Sequence, residues 1–101
     1  MNKLYGNLQE IKKRPGLYLE EKSLSRLDSF ILGYCKCESD LGIEKNILFD
    51  GFQEFVQEKY GIKSHSASQI ISFYSISKSD AFDKFYSLLD EFLQLHPENL
   101  E

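Results

Sequence analysis

From Asp50 to Leu93 the chain reads as three short amphipathic helices, with Phe and Tyr gathered on one side and carboxylates on the other. Apolar residues recurring at three-and-four spacing bury a stripe only if the backbone is helical, and that period constrains the fold more than any single residue does. No long alternating strand pattern competes. The nearest, Ile70 to Ile76, pairs Ile70-Ile71 with Phe73-Tyr74 at helical spacing. The expectation is an all-α, single-domain bundle of about five short helices over residues 1–96, with 97–101 as a frayed tail.

The helix limits follow from capping and breaking residues. A first helix over Asn2–Lys13 buries Leu4, Leu8 and Ile11. Pro15 ends it, because the residue before proline is pushed out of the helical region. Pro15-Gly16 suits the middle of a type II turn with Gly16 at positive φ, and Leu17-Tyr18-Leu19 then returns to the core. Ser23 or Ser25 caps a second helix reaching Ser39, with Leu24, Leu27, Ile31 and Tyr34 as its seam and Phe30 beside it. Gly33 inside it costs roughly 1 kcal/mol relative to alanine, a cost that a close helix–helix contact explains. Residues 40–49 form the longest connection. Asp50 with Gln53 is a capping-box-like start for a third helix that buries Phe52, Phe55 and Val56 and stops at Gly61. Ser66 with Gln69 opens a fourth, and Ser77 or Ser79 the last, in which Phe82, Phe85, Leu89 and Phe92 face the core up to His96-Pro97.

The 101 residues carry a net charge of −4, unevenly placed. Residues 1–49 hold eight Lys/Arg against seven Asp/Glu; residues 50–101 hold four Lys against nine Asp/Glu. An acidic half repels phosphate backbones and attracts basic proteins, so direct nucleic-acid binding through it is disfavoured. The plainer account of the same acids is an ordinary solvated face. Cys35 and Cys37, two apart in a helix, point to different sides and read as free thiols in a reducing compartment. No apolar run near the N-terminus suits a signal peptide, and none approaches a membrane span, so a cytoplasmic location without membrane attachment is expected.

Reagents for chemistry are scarce. His65 and His96 are the only histidines. Ser64, Ser66 and Ser68 surround His65, but a nucleophile–base pair needs orientation by a third buried group. Glu20-Glu21, Asp90-Glu91, Glu54/Glu58 and Asp80/Asp83 pair carboxylates, yet acid–base work needs one of them desolvated, and all fall where the pattern predicts water. As binding features they fare better beside Tyr60, Tyr74 or Tyr86, whose rings pack while their hydroxyls bond. No catalytic residue, cofactor or metal is expected.

Two likenesses are carried by the residues. Lys13-Arg14-Pro15-Gly16-Leu17-Tyr18-Leu19 resembles a stretch of type II topoisomerase ATPase domains. That fold also needs a larger α/β sandwich, a Glu-x-x-x-Asn helix upstream and a Gly-rich loop, which this chain lacks, so the match is a shared turn. The second runs from about Arg14 to Phe92, through Ser23-Leu24-Ser25-Arg26-Leu27, Gly33-Tyr34, Phe52-Gln53-Glu54-Phe55-Val56, Tyr60-Gly61-Ile62, Gln69-Ile70-Ile71 and Asp80-Ala81-Phe82-Asp83-Lys84-Phe85-Tyr86 to Leu88-Leu89-Asp90-Glu91-Phe92. In this order the chain resembles small bacterial immunity proteins of contact-dependent growth inhibition and related polymorphic-toxin systems. The resemblance implies a non-enzymatic antidote that binds one cognate toxin domain, often a nuclease acting on transfer RNA. Asp50, Glu54, Glu58, Asp80, Asp83 and Tyr86 are the residues expected on the toxin-facing surface, their carboxylates standing in for phosphates. A general interaction module for a basic partner, and a small enzyme using His65 or the carboxylate pairs, are the alternatives.

Overall fold

The computed structural model describes residues 2–43 and 45–100. Among them lie six α-helices and no strand: α1 (Lys3–Lys13), α2 (Pro15–Leu19), α3 (Leu24–Asp40), α4 (Ile47–Tyr60), α5 (Ala67–Phe73) and α6 (Lys78–Leu95), followed by a 3-10 turn over Pro97–Leu100. The all-α expectation holds, with one helix more than the sequence suggested.

Most ends are set by the residues expected to set them. Ser23 Oγ accepts from the Arg26 N–H at 3.3 Å and Ser77 Oγ from the Asp80 N–H at 3.0 Å. Ser66 and Gln69 form a full capping box, so two orphan amide donors are satisfied reciprocally. Gly61 closes α4 in the left-handed region at φ 67°, where a side chain is disfavoured.

α6 is the centre of the bundle. It packs against α3, α4, α5 and the C-terminal turn, and it buries seven side chains from Ala81 to Phe92. Each large one contributes about 1.5–3 kcal/mol by leaving water. The Phe52 ring meets Phe85 edge-on at 5.0 Å and Phe92 at 6.1 Å, locking α4 onto α6. Leu24, Leu27 and Ile31 close the core from α3, and Leu4, Leu8 and Ile11 from α1.

Five local expectations are corrected. α4 begins at Ile47, a turn before Asp50, because Asn46 Oδ1 accepts from the Phe49 N–H at 3.2 Å. The same Asn46 accepts from Asn2 Nδ2 at 3.2 Å and donates to Glu38 Oε1 at 3.0 Å, so long-range contacts favour this cap. Pro15 starts the short helix α2 instead of entering a type II turn, and Gly16 does not take a positive φ; proline at the first helical position lacks only an amide that is orphaned anyway. Of the apolar run after it, only Leu19 is buried, while Leu17 and Tyr18 are exposed. Gly33 lies on the surface with open space where a Cβ would stand. The tail is docked: the Leu100 carbonyl accepts from Asn2 N–H at 2.7 Å, and Asn99 Nδ2 donates to the Ile47 carbonyl at 2.9 Å. Glu101 lies outside the described residues.

Candidate acidic docking face

α4 carries the site because its two ends are fixed by Asn46 and Gly61 and its inner face by Phe52 and Val56. With the inward face committed, Asp50, Glu54 and Glu58, spaced four apart, fall together on the outer face and are exposed. Among the described residues no Lys, Arg or His nitrogen lies within 4.0 Å of any of the three carboxylates. Lys59, adjacent in sequence, turns away to Glu91 of α6 at 2.8 Å, and this pairing holds its amine above the usual lysine range.

Beside Glu54 and Glu58 runs a groove of about 290 Å³ between α4, the end of α6 and the C-terminal turn. Phe55 and Phe92 form its aromatic wall, their centroids 5.4 Å apart, and Asn99 and His96 close the other side. Gly51 belongs to its lining as well. A Cβ there would run into Asn99 Nδ2 and sit 2.8 Å from Phe92 Cζ. Phe55 and Phe92 face inward as the spacing predicts, Phe92 within the core and Phe55 packed against it, while Gly51, Asn99 and His96 were not anticipated as parts of this groove. A glycine mid-helix was the available signal, and it was read at Gly33 instead of Gly51.

Asp80 and Asp83 stand apart from this face, at the start of α6, and are already neutralised. Asp83 takes Lys22 Nζ on both carboxylate oxygens, at 2.8 and 3.0 Å. Asp80 accepts the Ile76 N–H at 3.0 Å and lies 3.4 Å from Lys84. Its carboxyl is held below the usual range, first by that backbone N–H and then by Lys84. Tyr86 is almost wholly buried. It is 3% exposed, with its hydroxyl donating to the Leu8 carbonyl at 2.6 Å, so its inclusion in a toxin-facing surface is overturned: the phenol found a backbone acceptor inside the core. Burial pushes its ionisation well above the usual tyrosine range. Tyr74 is half exposed and stacks on Tyr60 at 4.8 Å.

The remaining candidates for chemistry do not assemble. Ser64 Oγ lies 2.9 Å from His65 Nδ1, but the ring leans edge-on against Phe73, and among the described residues no carboxylate lies within 4.0 Å to orient it. His96 directs Nδ1 to Glu98 at 3.2 Å. The Cys35 thiol is pushed up, chiefly by burial and then by Glu38 and Asp50, which makes it a poor nucleophile. Among the described residues no group of three or more His, Cys, Asp or Glu is placed to hold a metal ion, and no helix is long and apolar enough to cross a membrane. Compared with known protein families, with curated proteins and with solved structures, the chain matches none.

Proposed function

We propose that the protein is an immunity protein, which binds a cognate basic toxin domain through the outer face of α4 and thereby keeps the toxin from its target in the producing cell. One observation carries the reading: Asp50, Glu54 and Glu58 line one exposed helix face where, among the described residues, no Lys, Arg or His nitrogen lies within 4.0 Å of them, whereas Asp80, Asp83 and Glu91 are paired with lysines. Unpaired carboxylates on a rigid helix keep a negative field facing outward, and such a field accelerates encounter with a positively charged cleft. The toxin class that the family resemblance implies, a nuclease such as one acting on transfer RNA, fits a cleft built to hold phosphates. The protein acts by binding, without catalysis, in the cytoplasm where such a toxin meets its target.

The test is protection. Co-expression with a toxin domain encoded by a neighbouring gene rescues growth if the reading is right, and the two proteins co-purify. Growth arrest that persists at equal expression, with no complex formed, refutes it. A general interaction module for a basic partner rests on the same face, and is favoured if a basic protein unrelated to any toxin co-purifies instead.

A further inference from the structure

Two grooves on this molecule have walls of the same chemistry, and only one holds cations. The first, of about 340 Å³, is bordered by Phe82, Tyr86 and Asp83. There Lys12 Nζ sits 5.5 Å from the Tyr86 ring centroid and Lys22 Nζ 5.8 Å from that of Phe82, with Lys22 also paired to Asp83. Ring faces attract cations through their quadrupole, and carboxylates at the rim complete the neutralisation. The second groove, of about 290 Å³, repeats the pattern with Phe55 and Phe92 as the rings and Glu54 and Glu58 as the acids, and among the described residues no Lys or Arg lies in it.

We infer that the second groove is the seat of an arginine side chain from the partner, which lies along the Phe55–Phe92 wall with its guanidinium paired to Glu54 and Glu58. The inference deepens the reading of α4 as a docking face by naming what that face captures. Residues four apart on a helix stand about 5–6 Å apart at Cβ, so both carboxylates reach one planar fork with several N–H donors. Arginine fits better than lysine for two reasons. Its guanidinium stacks flat on an aromatic face, and it is less strongly hydrated than an ammonium, so leaving water for a half-aromatic groove costs it less.

The experiment is an NMR titration of the intact 101-residue chain with N-acetyl-arginine-N-methylamide, its lysine analogue and its neutral citrulline analogue. Expected are saturable shifts of the Gly51, Phe55 and Asn99 amides with the arginine probe, an affinity for the lysine probe lower by about threefold or more, and no saturation with citrulline. E54Q/E58Q abolishes the arginine response, while E91Q, outside the groove, leaves it intact. Equal responses to all three probes, shifts confined to the Lys12–Asp83 groove, or an unchanged response in E54Q/E58Q each overturn the inference. Since no toxin enters the titration, its failure leaves the immunity reading standing on the protection assay. Arginine capture by a chain that protects no cell refutes the immunity reading alone.

Discussion

Tyr86, on α6, donates its hydroxyl proton to the carbonyl of Leu8, on α1, at 2.6 Å, and the bond joins two helices whose residues stand 78 positions apart in the chain. The phenol ring at the same time packs against Phe82 at 5.1 Å and Phe85 at 5.3 Å. Tyr86→Phe keeps the ring and removes the bond, so chemical denaturation should show a loss of about 1 kcal/mol. Tyr86→Ala, which also empties the ring's volume, is expected to cost about 3–5 kcal/mol.

The same residue gives the chain an alkaline limit. Its pKa in the folded state is raised by burial, so the unfolded chain releases the proton at lower pH than the folded one. The contribution is fully present below the ordinary tyrosine value of about 10 and is lost as pH rises through the folded value. Unfolding followed from pH 8 upward should show stability falling above that point, with a shallower fall in Tyr86→Phe.

Two glycines inside helices should respond in opposite directions. At Gly33 a methyl group meets open space, and alanine should stabilise by roughly 0.5–1 kcal/mol through helix propensity. At Gly51 the methyl collides with Asn99 and Phe92. Gly51→Ala should therefore lower the melting temperature in spite of better propensity, and amide exchange at Asn99 and Leu100 should speed up as the C-terminal turn lifts.

Asn46 is more than a helix cap. Its amide accepts from Phe49 N–H and Asn2 and donates to Glu38, so Asn46→Ala should exceed the loss of about 1 kcal/mol expected of a simple cap such as Ser66→Ala. Thermal melts of the two variants compare them directly.

What the sequence disclosed was whatever neighbours within a turn or two decide. The Ser66–Gln69 box, the Ser77 cap, the Gly61 stop and the seams of α3 and α6 all have local causes, and all stand where they were read. What stayed hidden depends on distant partners. Asp50-x-x-Gln53 is a sound local start, but Asn46 prevails because Asn2 and Glu38 hold it. Pro-Glu-Asn-Leu carries no docking signal of its own; the turn settles because α4 offers a bare Cα at Gly51 and a carbonyl at Ile47. For the site, the exposure of Glu54 and Glu58 was legible from helical spacing. Which acids are paired was not, because Lys22 reaches Asp83 from the loop before α3 and Lys59 reaches Glu91 from α4 across to α6.

Stopped-flow association with the proposed toxin domain at several salt concentrations asks whether Asp50, Glu54 and Glu58 on α4 draw it in. With E54K/E58K the association rate constant at low salt should fall by about tenfold or more and its dependence on ionic strength should flatten. D83K, whose carboxylate is already neutralised by Lys22, should change both much less. An unchanged rate and salt slope in E54K/E58K, or a larger effect from D83K, would contradict the account.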